Sequence, residues 1–158
     1  MKLSQKLFYI LTPLIGGSII GLIINKYIDY EYLINPPLSP PSYLFPIVWS
    51  ILYLLIGIAY YIYRKNNNNI STIKLYYIQL ILNYLWSIIF FIFKLKTLAL
   101  LWIIILAITI IYLMIQLFKE EKTSFYLFIP YILWVLFATY LNAGIVILIL
   151  LRYYSALI

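Results

Sequence analysis

Residues 36–61 read PPLSPPSYLFPIVWSILYLLIGIAYY and join a proline-rich loop directly to an apolar run of membrane length. Four of the first six residues are proline, which favours extended backbone, so the loop is predicted to be stiff and not helical. Ser42 can cap the helix that follows, and Pro46 falls in its first turns, where a missing N–H costs little. The stretch therefore predicts a rigid cap that leads into a membrane-spanning helix.

The helix after this loop is predicted to carry an aromatic face. Residues three and four positions apart lie on the same side of a helix. The members of this face are Pro46, Trp49, Tyr53, Gly57 and Tyr60. The face begins with a proline and a tryptophan, so the aromatic rings are expected just below the membrane surface, next to the loop.

Composition places the rest of the chain in a bilayer as well. The 158 residues are 66% hydrophobic and 9% charged, with a mean hydropathy of +1.06. A helix needs about 20 residues to cross the hydrocarbon core, and five runs are long enough, near residues 7–25, 43–63, 75–93, 97–117 and 125–150. These runs are continuously apolar rather than alternating, which argues against a β-barrel. The sequence predicts an all-α membrane protein, a five-transmembrane-helix bundle forming one domain over residues 1–158.

The predicted spans differ in what they carry. The third has Gln79 and Asn83 on one face with Trp86 and Phe90, and an amide in hydrocarbon must face another helix or a cavity. Helix-to-helix bonding and ligand orientation both explain these amides, and the sequence leaves the choice open. The first span has a GxxxG spacing from Gly17 that suits packing within the bundle or a homodimer. The fourth is apolar all round and is predicted to face lipid.

Missing residue types exclude several kinds of chemistry. The chain has no His and no Cys, which excludes a thiol nucleophile, an imidazole base and an ordinary zinc site. Its four carboxylates, at positions 29, 31, 120 and 121, fall between the spans, so no carboxylate relay crosses the membrane. We therefore expect no metal site and no required cofactor. No basic run suits nucleic acid, and residues 66–69, four asparagines, are expected to form a solvated connector.

The distribution of positive charge predicts an orientation. Seven basic residues lie before the first span and in the second and fourth loops: Lys2, Lys6, Arg64, Lys65, Lys74, Lys119 and Lys122. Four lie on the other side: Lys26, Lys94, Lys96 and Arg152. The positive-inside rule then places the N-terminus in the cytosol and the C-terminus outside. We expect a multi-pass protein in the plasma membrane of a prokaryote, and the net charge of +7 suits anionic lipid headgroups.

Three stretches resemble the TspO/MBR family, the tryptophan-rich sensory and translocator proteins. They are the PxSPPxxxFPxVWxxLY pattern of residues 37–53, YIQLILNYLWSIIFF at 77–91 and PYILWVLFATYLN at 130–142. The resemblance implies a pocket inside the bundle, capped by the first loop, that binds tetrapyrroles such as protoporphyrin IX and similar flat hydrophobic molecules. Lys26 is a candidate partner for porphyrin propionates. The implied ligand-binding residues are Gly21, Pro41, Phe45, Val48, Trp49, Tyr53, Gln79, Asn83, Trp86, Phe90, Trp134, Ala138, Leu141 and Asn142.

Two other functions stay open beside ligand binding. Members of this family have been proposed to degrade porphyrin in light through tryptophan, and Trp49 and Trp134 match the positions concerned, which makes them the candidate catalytic residues. A small multispan transporter is the other alternative. Sterol binding is not expected, because Ala143 and Ile147 stand where the sterol-associated pattern of the animal members needs a Tyr and an Arg.

Overall fold

The structure, a computed structural model, describes residues 2–28 and 36–156. Five helices follow one another along the chain: α1 (Leu3–Asn25), α2 (Leu44–Asn66), α3 (Ile70–Ser87), α4 (Lys96–Glu120) and α5 (Lys122–Ser155). A π-helical turn, Ile88–Ile92, extends α3. All five are long and apolar enough to cross a membrane. The prediction of an all-α, five-helix membrane bundle is confirmed, and the helices run up to five residues beyond the predicted spans.

The helices form a closed ring. Contacts join α1 to α2, α2 to α5, α5 to α4, α4 to α3 and α3 back to α1. Successive helices run in opposite directions, so each end of the bundle has a fixed set of connections. The end that holds the start of α1 and the loops after α2 and α4 is called the N-terminal end. The end that holds residues 36–43, the start of α4 and the end of α5 is called the loop end.

Glycines allow α1 to lie close to its neighbours. A Cβ at Gly57 of α2 would collide with the backbone carbonyl of Ile10 in α1. Gly17 lies directly against the ring of Tyr53, and Gly16 against that of Tyr84. Nothing lies within 4 Å of a Cβ built at Gly21. The predicted packing of the first span within the bundle is therefore found, but Gly16 and Gly17 provide it rather than the Gly17–Gly21 pair.

The fourth helix was predicted to face lipid because it is uniformly apolar, but part of its surface lies inside the bundle. One face of α4 is buried against α3 and α5. Its buried members recur every three or four residues: Ala99, Ile103, Leu106, Ala107, Ile110, Leu113, Met114 and Leu117. Lipid tails and a membrane-protein core are equally apolar, so the side chains of this helix do not mark which face is buried.

One local expectation at a helix start also needs correction. Ser42 makes no side-chain cap, because α2 begins with Tyr43 as its N-cap residue and backbone bonds from Leu44 to Pro41 and from Phe45 to Ser42 close the turn. In the fifth helix, which begins at Lys122, Pro130 lies inside the helix.

The close approach of α1 and α2 gives a direct test of the bundle. Gly57→Ala should lower the melting temperature in detergent, because the Ile10 backbone cannot rotate away as a side chain could. Overpacking of this kind costs about 1–3 kcal/mol, or roughly 2–4 °C per kcal/mol in a chain of this size. Gly21→Ala is the matched control, with open space around its Cβ. Equal melting temperatures for the two variants would contradict the contact.

Candidate functional site

The centre of the bundle contains a hydrogen-bonded group built around Asn83 of α3. The Tyr53 hydroxyl of α2 donates to Asn83 Oδ1 at 2.6 Å, and Asn83 Nδ2 donates to the Tyr131 hydroxyl of α5 at 3.0 Å. The Tyr131 hydroxyl donates in turn to Gln79 Oε1 at 2.8 Å. All four side chains are buried. One amide therefore joins three helices in a region where no water is available to replace the bonds.

Gln79 ends this chain of bonds with an unused donor. Its Nε2 is buried and has no hydrogen-bond partner among the described residues. A buried donor without an acceptor costs about 1–3 kcal/mol. Tyr53, Asn83 and Tyr131 each have a hydrogen-bond partner in this network. Gln79 Nε2 is the donor of the network that has no acceptor among the described residues.

A second chain of bonds lies closer to the loop end. Trp86 Nε1 of α3 donates to Asn142 Oδ1 of α5 at 3.3 Å, and Asn142 Nδ2 donates to the backbone oxygen of Lys96 at 2.9 Å. The Lys96 ammonium donates to the Phe90 carbonyl at 2.7 Å and lies 3.5 Å from the centroid of the Phe90 ring. The π-helical turn that contains Phe90 is thus held by a cation at the start of α4.

The indole of Trp49 connects the aromatic side chains around these bonds. Its ring stacks on Tyr53 with centroids 5.5 Å apart and lies 6.3 Å from Trp86 and 6.4 Å from Tyr131. Trp86 continues to Phe90 at 5.5 Å. Trp49 is only half-buried, whereas Trp86 is 5% exposed. Trp49 is therefore the member of this group that can be reached from outside the core.

Trp134 belongs to a separate surface on the α2–α5 seam. It lines an open groove of about 460 Å³, whose walls are Val48, Ile51, Leu52, Leu55, Pro130, Leu133, Trp134 and Phe137. The Phe45 ring lies edge-on to the Trp134 ring at 5.8 Å. Trp134 Nε1 is buried and has no acceptor among the described residues. This α2–α5 groove is almost wholly apolar. The buried N–H of its lining residue Trp134 is an unused donor.

The interior is much more closely packed than the groove. A cavity lies between α2, α3, α4 and α5 towards the N-terminal end, and its lining includes Tyr60, Tyr76 and Phe128. Its volume is about 10 Å³. That volume is about what one water molecule requires. This cavity is therefore too small for the expected ligand, whereas the α2–α5 groove has a volume within the range of small-molecule sites. A ligand pocket inside the bundle stays a prediction.

The predicted site residues fall into three groups by exposure. Eight are buried: Tyr53, Gln79, Asn83, Trp86, Phe90, Ala138, Leu141 and Asn142. Four are half-buried: Phe45, Val48, Trp49 and Trp134. Gly21 and Pro41 are exposed, as is Lys26, the candidate for propionates, at the end of α1. The first two groups lie on α2, α5 and α3 with its π-helical turn; most of the buried members join the two chains of hydrogen bonds, whereas Phe45, Val48 and Trp134 belong to the groove surface.

The described part of the first loop is fixed to α5. Pro36 is buried and lies where a Cβ at Gly144 would be, and the Tyr140 hydroxyl donates to the Pro37 carbonyl at 2.9 Å. The Ser39 hydroxyl donates to the Pro36 carbonyl at 2.7 Å, which closes the turn. Residues 36–39 therefore dock on α5 at the loop end, and a cap over a ligand pocket stays a prediction.

The asparagine run at residues 66–69 is exposed at three of its four positions, as a solvated connector would be, and its side chains also bond to the end of α4 and the fourth loop. Glu120 at the end of α4 accepts from the Tyr63 hydroxyl at 2.6 Å, from Asn69 Nδ2 at 2.6 Å and from the Thr72 hydroxyl at 3.0 Å. Asn66 Nδ2 donates to Glu121 at 3.0 Å. Through these side-chain hydrogen bonds the run connects the second loop to the end of α4 and the fourth loop, at the N-terminal end.

Sequence reasoning omitted two features of the candidate site. Tyr131 lies on the same stripe of α5 as Trp134 and Ala138, and this shared stripe was the available signal. Lys96 and the π-helical turn gave no signal in the local sequence, because the bond that joins them spans two helices. Trp102 lies outside the site, where its Nε1 donates to the Leu82 carbonyl at 3.0 Å and so fastens α4 to α3.

The arrangement suits binding of a flat apolar molecule more than acid–base chemistry. The described residues contain no group of three or more potential metal ligands. The buried polar groups are neutral amides, phenols and indoles, and the exposed edges of Trp49, Phe45 and Trp134 offer stacking surfaces. Such a site can order a ring system and donate hydrogen bonds to its polar edge.

Comparison with known proteins assigns most of the chain to one family. Residues 9–148 match the TspO/MBR family. The tryptophan-rich protein TspO of Archaeoglobus fulgidus is 40% identical over 121 residues, covering 75% of this chain and 78% of the relative. The protein of the same name in Chlorobaculum tepidum is 37% identical, with 72% and 74% covered. The translocator protein homolog of Schizosaccharomyces pombe is 31% identical over 85% of each chain.

The bridging role of Asn83 predicts unequal costs for the two buried amides. Asn83→Leu removes two bonds and leaves the Tyr53 hydroxyl without its acceptor, so the ligand-free protein should lose about 1–3 kcal/mol of stability. Gln79→Leu removes one bond and also an unused donor, and the Tyr131 hydroxyl that loses its acceptor still accepts from Asn83 Nδ2. Its loss should therefore be smaller, near the average of about 0.6 kcal/mol for such bonds in a membrane. Thermal melts of both variants in one detergent measure the difference. A larger loss for Gln79→Leu would contradict the assignment of Asn83 as the bridge.

Proposed function

Because the chain belongs to the TspO/MBR family, we propose that it is an integral membrane receptor of the translocator type that binds tetrapyrroles and similar flat hydrophobic ligands. The observation that carries the proposal is the α2–α5 groove, whose lining residue Trp134 has a buried N–H without an acceptor among the described residues. A volume of about 460 Å³ falls in the range of small-molecule sites, roughly 300–1,000 Å³. The apolar walls suit a ring system, and the indole donor suits one polar atom of it.

The position of the docked loop supports the same site. Tyr140 and Gly144, which hold residues 36–37, follow Phe137 of the groove along α5. Phe45, at the start of α2, extends from the end of the loop to the Trp134 ring. The proposed ligand therefore lies between α2 and α5 below the loop, with Trp49 on the next position of α2 after the groove residue Val48.

A second function, light-dependent porphyrin loss, is supported by the exposure of the tryptophans. Trp49 and Trp134 are half-buried; Trp134 lines the α2–α5 groove, and Trp49 follows the groove residue Val48 on α2, so a bound ring could contact them. Indole is easily oxidised, so a photo-excited porphyrin in contact with one of them would react there first. Trp86 is buried behind Trp49. Transport of such a ligand stays a prediction of the sequence.

Replacement of single tryptophans tests both functions. Trp134→Phe keeps an apolar ring but removes the donor, so the affinity for protoporphyrin IX, read from the change in porphyrin absorbance, should fall about three- to tenfold. Under light, Trp49→Phe and Trp134→Phe should each suppress porphyrin loss. Trp102→Phe, on the α3–α4 seam, is the matched control and should alter neither reading. No porphyrin binding by the unaltered protein would overturn the proposed function, and equal effects from all three variants would overturn the site.

Loosening the loop should weaken the same ligand. Replacing Pro40 and Pro41 with Gly increases the freedom that the loop loses when it closes over a ligand, which should cost about 1–2 kcal/mol, or about tenfold in affinity. Tyr140→Phe removes the bond to Pro37 and should act in the same direction. Tyr153→Phe, exposed further along α5, serves as the control. Unchanged porphyrin affinity in folded loop variants would show that this loop does not cover the site.

A further inference from the structure

The α1–α2 seam has two cations at its N-terminal end, each over an aromatic ring of the opposite helix. The Lys6 ammonium of α1 lies 5.3 Å from the centroid of the Tyr61 ring of α2. The Arg64 guanidinium of α2 lies 5.9 Å from the centroid of the Tyr9 ring of α1. The rings hold both cations at the seam, where each retains N–H donors for an acceptor.

Arg64 has a donor that the described chain does not use. Its Nε is buried and has no hydrogen-bond partner among the described residues. The described carboxylates, Glu120 and Glu121, accept from Tyr63 and from the asparagine run instead. An unsatisfied buried donor on a guanidinium is costly, so an oxygen acceptor from outside the chain would be stabilising here.

The surface beside these cations is apolar. The first half of α1 exposes large side chains along the bundle surface, namely Leu3, Leu7, Phe8, Leu11 and Ile15. Phe8 is 61% exposed and Leu3 70%. A ligand with an anionic oxygen group at one end and long apolar chains at the other matches both features. Phospholipid has this chemistry, and basic residues between helices at a membrane surface are a known setting for anionic headgroups.

We propose that the N-terminal end of the α1–α2 seam binds one anionic phospholipid. Its phosphate oxygens accept from the Arg64 guanidinium and the Lys6 ammonium, and its acyl chains lie along the exposed face of α1. Arg64 is suited to this role because its planar donors match phosphate geometry and it stacks on an aromatic face. A zwitterionic lipid also has a phosphate, but its own cation competes with the protein cations, so the site favours net negative headgroups.

The experiment measures thermal stabilisation of the purified full chain by phosphatidylglycerol and by phosphatidylcholine in the same detergent. The unaltered protein should be stabilised more by phosphatidylglycerol. The double variant Lys6→Gln/Arg64→Gln should lose that difference, with an apparent lipid affinity lower by roughly tenfold or more. The control Lys119→Gln/Lys122→Gln removes the same charge at the same end of the bundle, near α4 and α5, and should keep the difference.

Each other outcome decides against the site. Equal losses in the two double variants would show a diffuse charge effect, and equal stabilisation by the two lipids would remove the headgroup preference. The same stabilisation by inorganic phosphate would assign an anion site without lipid. If the double variant does not fold, Arg64→Lys keeps the charge but removes Nε and its planar donors, and it should still weaken the response to phosphatidylglycerol. An unchanged response in Arg64→Lys would overturn the role of Nε.

Discussion

The buried amide of Asn83 is the constraint on which the rest of the bundle depends. Inside hydrocarbon its oxygen and its nitrogen need partners from the chain itself, and Tyr53 of α2 and Tyr131 of α5 provide them. These two bonds fix the rotation of both helices about their own axes relative to α3. A rotation of either helix by one residue would carry a phenol away and leave two buried polar groups unpaired, at about 1–3 kcal/mol each.

The aromatic surfaces follow from these rotations. Once Tyr53 faces Asn83, Trp49 lies one turn away on the same face of α2 and meets Trp86. Once Tyr131 faces Asn83, Trp134 lies three positions on and reaches the α2–α5 groove. The polar network therefore closes the centre and at the same time presents indoles at its edge. A closed centre and an open groove are two consequences of a single set of hydrogen bonds.

The sequence predicted those features of the fold that have a signal within a single segment of the chain. The five spans are predictable because twenty apolar residues in a row leave few alternatives, and the buried face of α3 because two amides mark it. Features that depend on a distant partner were not predictable. The buried face of α4 has no polar opposite side, the π-helical turn is held by Lys96 from the next helix, and residues 66–69 are ordered by Glu120.

Bonds to charged groups fasten both ends of the bundle, whereas residues 36–39 of the first loop are held on α5 by weaker described contacts. At the N-terminal end the Glu120 carboxylate accepts from three side chains of α2, the second loop and α3. At the loop end the Lys96 ammonium donates to the Phe90 carbonyl. The described contacts of residues 36–39 with α5 are one neutral bond, from Tyr140 to Pro37, and the packing of Pro36 on Gly144, and a neutral bond contributes only about 0.5–1.5 kcal/mol. Local opening starts at the weaker contacts, so among the described segments residues 36–39 are the first to separate from α5.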